Sequence, residues 1–321
     1  MEKILLRNSD LAVSRLCMGG CPMGGYGWGV VTKDDLIAAV KKALEIGVNF
    51  FDSADTYGLG EAERTLGEAL KGNRHQAVIA TKFGVRIENG KTYYDNSAQW
   101  INQSVENSLN RLGTDYIDLY QIHYRDGKIP ISDVVESLDR LKDKGLIRYY
   151  GLSNLHAEDI EELKKYQGKF VSFQDEYSLA CRKNEQDMFA LPGKMELTPL
   201  TWGSLGQGIL TGKYNKDTTF GSDDRRSREI YVNFHGEKLL KNLKIVNEMQ
   251  KISAEINKPM AAIAIRWILD YLPNCVVLAG IKNVSQLLSN AEALSWKLDK
   301  DQIGILEAVS NVEVEMPRTN F

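Results

Sequence analysis

Eight short apolar runs, separated by segments of helical periodicity, constrain this chain more than any other feature. The runs are Arg15–Gly19, Val48–Asp52, Ala77–Lys82, Tyr116–Ile122, Ile147–Leu152, Phe170–Gln174, Leu197–Trp202 and Cys275–Gly280. They are apolar throughout rather than alternating, as strands of a parallel sheet covered on both faces must be. Parallel neighbours need a long crossover, which a helix usually supplies. In Asp34–Ile46, residues Leu36, Ile37, Val40, Ala43 and Leu44 share one face; in Ala98–Leu112, Ile101, Val105, Leu109 and Leu112 do the same. Thr32 is placed to cap the first helix, with Asp34 and Asp35 in its first turn. Gly47 and Gly113 stand where helices stop, and Pro259 opens a helix over Met260–Asp270. A doubly wound open sheet shares most of these signals. Eight strands with about eight helices favour a (β/α)8 TIM barrel, expected as one domain over residues 1–321. A long loop, Gly203 to Gly236, follows the seventh strand, and loops of that length are functional or disordered.

Composition narrows the function. The 321 residues include 40 basic and 43 acidic side chains, a net charge of −3. That balance leaves no footprint for nucleic acid or an anionic membrane. Four cysteines (Cys17, Cys21, Cys181, Cys275) are too few for a disulfide framework and lack zinc spacing, so no metal is expected. The stretch Met260 to Leu269 is too short to span a bilayer and is broken by Arg266. The first residues lack the features of a signal peptide. A cytoplasmic protein is expected.

In a barrel, chemistry gathers at the C-terminal ends of the strands. Asp52 ends the second run, and Tyr57 follows in its loop. Lys82 ends the third and His123 the fourth. Ser153 and Asn154 follow the fifth, Gln174 ends the sixth and Trp202 the seventh. Each has a plainer reading alone: Asp52 as a cap, Tyr57 as a rim residue, His123 as a satisfied structural histidine, Lys282 as a surface lysine. Lys82 is harder to dismiss. Its neighbours Val78, Ile79, Ala80 and Phe83 belong to a buried strand, so its ammonium needs a carboxylate, and Asp52 on the adjacent strand is the candidate. Tyrosine, with a reference pKa of about 10, is a weak acid at neutral pH, and an adjacent ammonium is expected to lower that value. His123 could hydrogen-bond a carbonyl oxygen beside the phenol. The set suits proton donation to an oxygen that gains negative charge, as on hydride addition to a carbonyl. No side chain supplies hydride, so a nicotinamide cofactor is expected.

A Rossmann fingerprint is missing; Gly58-Leu59-Gly60 lacks the third glycine. Ser153, Asn154 and Gln174 suit a carboxamide, and Trp202 suits stacking on a flat ring. Near the end, Gly280-Ile281-Lys282 places a cation beside a strand-to-helix turn that favours phosphate. Residues 282, 286 and 290 are expected on successive helical turns.

These segments resemble the aldo-keto reductases, in particular the branch with bacterial aldo/keto reductases and potassium-channel β subunits. The resemblance lies in Phe51-Asp52-Ser53-Ala54-Asp55-Thr56-Tyr57-Gly58, with Glu63 and Leu66-Gly67 after it. It continues in Ala80-Thr81-Lys82-Phe83-Gly84 and Asp115-Tyr116-Ile117-Asp118-Leu119-Tyr120-Gln121-Ile122-His123. Ile147-Arg148-Tyr149-Tyr150-Gly151-Leu152-Ser153-Asn154, Phe173-Gln174-Asp175-Glu176-Tyr177-Ser178 and Gly208-Ile209-Leu210-Thr211-Gly212-Lys213-Tyr214 follow in family order. The resemblance implies a TIM barrel, NADPH/NADP+ and reduction of an aldehyde or ketone, possible substrates including sugars and keto-sugars. Carried over, Tyr57 is the general acid, tuned by Lys82 and Asp52, and His123 orients the carbonyl. Ser153, Asn154 and Gln174 hold the nicotinamide amide, Trp202 stacks on its ring, and Gly20 and Cys21 lie near it. Gly203, Ser204, Leu205, Gly206 and Gln207, with Lys213 and Arg226, clamp the pyrophosphate. Gly280, Lys282, Gln286 and Asn290 take the adenosine end, where Lys282 favours a 2′-phosphate. Tyr26, Trp28, Tyr124 and Trp202, with the tail Glu315–Phe321, line the substrate pocket. Gly203-Ser204-Leu205 departs from the common Ser-Pro-Leu. The expected partner is a small carbonyl compound, with a homo-oligomer compatible. Two rival readings are a cofactor-sensing subunit, which the presence of His123 disfavours, and a sugar-alcohol dehydrogenase working oxidatively.

Overall fold

The computed structural model describes residues 3–155 and 157–311. Eight parallel strands close into a barrel: β1 (Leu16–Gly19), β2 (Phe50–Asp52), β3 (Val78–Phe83), β4 (Ile117–Ile122), β5 (Ile147–Ser153), β6 (Phe170–Glu176), β7 (Thr198–Trp202) and β8 (Val276–Gly280). Ladders run from each strand to the next, and β8 pairs with β1, Gly280 opposite Gly19. The eight predicted strands are these eight, with ends moved by one or two residues. The predicted helices appear as Lys33–Glu45, Ala98–Leu112 and Met260–Tyr271. Thr32 caps the first, accepting from the Asp35 amide at 3.2 Å. Within the third, Arg266 is buried because it pairs with Asp270 at 2.7 Å. Among the described residues no helix is long and apolar enough to cross a membrane.

Strand residues alternate between two cores. Outward-facing Leu16, Met18, Phe51, Ile79 and Tyr120 pack beneath the helices. Inward-facing Cys17, Phe50, Val78, Ala80, Leu119, Leu200, Val276 and Leu278 fill the barrel. A hairpin missed by the sequence reading, Lys3–Leu5 with Ala12–Ser14, brings Leu6, Leu11 and Val13 into that inner cluster. It closes the end where the strands begin. The same inward parity continues upward to Asp52, Lys82 and Gln121, which form a polar layer above the apolar one. A second hairpin, Val85–Glu88 with Lys91–Tyr94, rises beyond β3, outside the barrel ladder. The expected long loop after β7 is organised into short turns, Gly206–Thr211, Arg225–Ser227 and Val232–Phe234.

Close backbone packing sets the loop that carries Tyr57. Gly24, in the turn after β1, lies against Gly58, and a Cβ there would be 2.6 Å from the Gly58 nitrogen. Real Cβ atoms do not approach backbone so closely, so one loop must give way. Gly24→Ala is expected to cost about 1–3 kcal/mol, read as a lower urea midpoint at unchanged slope; an unshifted midpoint would show the loops are not in contact.

Candidate active site

A buried ion pair anchors the polar layer. Lys82 Nζ donates to Asp52 Oδ1 at 2.6 Å and to the Ser53 carbonyl at 2.8 Å, with both side chains almost fully buried. The β2–β3 ladder sets Asp52 opposite Ala80, and Lys82 lies two residues further on, on the same inward face. The other carboxylate oxygen of Asp52 accepts from Gln174 Nε2 at 2.8 Å and Gln121 Nε2 at 3.1 Å. Gln174 also donates to Gln121 Oε1 at 3.2 Å. Removing two charges from water is costly, and this completeness of hydrogen bonding makes the pair tolerable. Gln121 was not singled out from the sequence, although it lies opposite Lys82 in the β3–β4 ladder. Gln174 was expected on the nicotinamide amide; here its donor is committed to Asp52.

Tyr57 stands over this pair. Lys82 Nζ lies 3.4 Å from its hydroxyl. The His123 ring meets the Tyr57 ring edge-on at 6.1 Å and stacks on Tyr124 at 5.0 Å. Burial, joined by Lys82, pushes His123 well below its ordinary value, so the imidazole is neutral. Its Nδ1 is buried without a partner. The phenol departs from expectation. Burial pushes Tyr57 well above its ordinary value, with Cys21 and Asp52 adding and Arg225 opposing. Desolvation therefore outweighs the ammonium that was expected to lower it.

The remaining predicted residues fall into three groups. Asn154 donates to the Ser153 hydroxyl at 3.1 Å and the His123 carbonyl at 3.0 Å, and accepts from Trp202 Nε1 at 3.2 Å. This locks the ends of β4, β5 and β7 together. Gly20 is tied to the Asp52 carbonyl at 2.6 Å, where a Cβ would not fit. Cys21 follows it, its thiol pushed up by burial.

The second group lies in the loop after β7. The Ser204 hydroxyl turns inward to the Thr201 carbonyl at 3.0 Å. Gln207 accepts from Asn233 at 2.6 Å. Leu205 packs on the core, and Gly203 and Gly206 have left-handed backbones. A phosphate clamp here therefore has backbone to offer rather than the Ser204 hydroxyl. Arg226 pairs with Asp224 at 2.8 Å and lies beside Lys282, for a Cβ on Gly29 would sit 3.6 Å from Lys282 Nζ and 3.8 Å from Arg226 Nη2. Burial, then Arg226, then Lys213 pull Lys282 below its ordinary value, with Asp224 opposing. Arg226 and Lys282 both act on the one Asp224 carboxylate, and Lys282 Nζ also donates to the Trp28 carbonyl.

The third group is the last strand-to-helix turn. Asn283 caps the helix Val284–Ala291, so Lys282 lies before the helix and not on its face, a correction to the three-turn spacing expected. Its backbone donates to Gln286 Oε1 at 3.0 Å. Asn290 is buried with Nδ2 unpartnered. Gly280 sits at the strand end, against Pro22. At the rim, Trp28 meets Tyr231 edge-on at 5.8 Å and Tyr94 tilts against Tyr124 at 5.2 Å. Tyr26 is half exposed and accepts from Arg228 at 2.9 Å. The tail Glu315–Phe321 lies outside the described residues.

This arrangement finds close relatives. The model of the Aldo/keto reductase family matches residues 15–311. The chain belongs to the aldo/keto reductase family. It is 32% identical to the aldo-keto reductase YhdN of Bacillus subtilis over 304 residues, covering 94% of this chain and 91% of that one. An NADH-specific methylglyoxal reductase of Escherichia coli is 30% identical, with coverage of 93% and 95%. The glycerol dehydrogenase AKR11B4 of Gluconobacter oxydans superposes with a TM-score of 0.86 at 31% identity, covering 96% of this chain and 94% of that one. Such likeness agrees with the closed parallel barrel.

One buried carboxyl behind Tyr57 escaped the sequence reading. Asp55 Oδ1 is buried without a partner. Burial first, then Glu63, push Asp55 up to about 8, with Arg111 opposing. Glu63 itself is held by Arg111 and Thr81, each at 2.6 Å. The folded protein therefore keeps a proton that the unfolded chain releases near pH 4. Stability is expected to fall as pH rises from about 4 to about 8. Asp55→Asn removes that loss, so its advantage over the parent should grow by on the order of a few kcal/mol across this range. Urea midpoints at pH 5 and pH 8 test it; a constant difference would refute the buried neutral acid.

Proposed function

We propose that this chain is an NADPH-dependent oxidoreductase that reduces an aldehyde or ketone to an alcohol, with Tyr57 as general acid. The observation that carries the reading is a neutral phenol set 3.4 Å from a buried ammonium, with a neutral imidazole against its ring. Bound NADPH supplies the hydride. Tyr57 supplies the proton to the carbonyl oxygen as negative charge develops there. His123, uncharged, donates a hydrogen bond to the same oxygen and fixes its direction. Lys82, held by Asp52, steadies the phenol oxygen after the proton leaves. An alkoxide is a stronger base than phenolate, so a phenol that resists ionisation still donates to it. The same residues also serve the alcohol-oxidising reading that the glycerol dehydrogenase likeness raises, with Tyr57 then taking up the proton.

In this reading Ser153, Asn154 and Gln174 hold the nicotinamide amide with Trp202 against the ring, Asn154 and Gln174 giving up the internal hydrogen bonds they make in this chain. Lys282, Arg226 and the unpartnered Asn290 fit the phosphate-bearing adenosine end. The crowding of cations around Lys282 supports NADPH over NADH, although the Escherichia coli relative is named NADH-specific.

Tyr57→Phe is expected to lower NADPH-dependent carbonyl turnover by about 10²–10⁴-fold, while NADPH binding, read by quenching of protein fluorescence, persists. Full turnover in that variant would remove Tyr57 from the mechanism. Lys282→Ala is expected to weaken NADPH binding about tenfold, or about 1.4 kcal/mol, and to leave NADH binding nearly as it was. Equal losses for both cofactors would refute the 2′-phosphate assignment.

A further inference from the structure

Arg225 carries a charge that the reading above does not use. Its amide donates to the Gly27 carbonyl at 3.0 Å. Its side chain crosses Gly27, whose left-handed backbone and missing Cβ leave the room, since a Cβ would meet Arg225 Cγ at 2.5 Å. The guanidinium then lies over Tyr26 at 5.2 Å and Trp28 at 6.0 Å from the ring centres. Its Nε is buried and makes no hydrogen bond. Tyr231 is its neighbour and takes a hydrogen bond from it. No carboxylate among the described residues forms an ion pair with it, whereas its neighbour Arg226 has Asp224.

The two arginines turn to different neighbours, Arg225 to the Tyr26 and Trp28 rings and Arg226 to Asp224 and the Tyr214 ring. Arg226 and Lys213 act on Lys282. Arg225 acts on Tyr57 and Cys21. The guanidinium is half-buried beside Tyr26, Trp28 and Tyr231 and has no carboxylate partner among the described residues, so an anion can complete it. It offers a planar pair of donors that matches one carboxylate.

We propose that Arg225 reads a carboxylate on the substrate, so that the preferred substrates are carbonyl compounds carrying a carboxylate near the reacting carbon. This rests on the reading of Tyr57 as proton donor to a carbonyl. Tyr26 and Trp28 hold the guanidinium in place, and its single charge matches a carboxylate better than a phosphate dianion.

The test compares 4-oxobutanoate with its methyl ester as substrates of the intact protein with NADPH. The parent is expected to favour the acid, and Arg225→Met to lower the acid-to-ester ratio of kcat/KM at least tenfold. Arg225→Lys, which keeps the charge, should retain part of the ratio and controls for altered packing. A ratio that does not move overturns the proposal. So does a parallel loss for both substrates together with weaker NADPH binding, which would give Arg225 to the cofactor. If the parent turns over neither these compounds nor any uncharged aldehyde of a carbonyl panel, the reductase reading fails instead, and a second arm decides. The NADP+-saturated protein is titrated with butanoate and with butanamide by calorimetry. Saturable binding of butanoate alone, lost in Arg225→Met, sustains the anion site; no binding, or equal binding of both, overturns it.

Discussion

The buried pair between Lys82 and Asp52 is the interaction on which the rest of the site depends. Lys82 is 1% exposed and Asp52 3% exposed. Removing one partner of such a pair costs about 3–5 kcal/mol, because the other charge is left uncompensated. The barrel answers this with Gln121, Gln174 and the Ser53 carbonyl, so that five groups on four strands and a loop form one saturated unit. Its position is set by the layer beneath, where Phe50, Val78, Ala80 and Leu119 bury the strand interiors. Polar side chains two residues above them share their inward direction and meet at the open end.

That pair also explains the electrostatics of the mouth. At Tyr57 burial, with Cys21 and Asp52 adding, outweighs the opposing Arg225, so desolvation governs the phenol. His123 is kept neutral by the same desolvation, with Lys82 opposing a second cation. The outcome is a site of uncharged hydrogen-bond donors over a compensated ion pair. Such a site suits an oxygen that becomes negative only during reaction. Net positive charge appears further out, where Lys282, Arg226 and Arg225 surround the Gly27–Gly29 segment.

Asn154 shows how the loops are tied to this frame. Its left-handed backbone lets one side chain reach β4, β5 and Trp202 together. The contact of Gly24 with Gly58 does the same for the Tyr57 loop. The site is thus rigid where the reacting groups sit, while the rim is built from longer turns.

Much of this was legible in the amino-acid order. Continuous apolar runs require strands covered on both faces, and their spacing from helical segments leads to the barrel. A lysine inside such a run demands a carboxylate, and Asp52 was the available one. Other features needed the folded chain. The ladder between β5 and β6 shifts between Phe170 and Phe173, and this irregularity turns Gln174 onto Asp52 although Val171 faces the same interior. No local pattern encodes that shift, which appears only in the pairing of β6 with β5. The acidity of Tyr57, the orphaned Asp55 and the different neighbours of Arg225 and Arg226 were likewise undecided by sequence. Each depends on how much water and which charges surround a group, and segments far apart along the chain determine both.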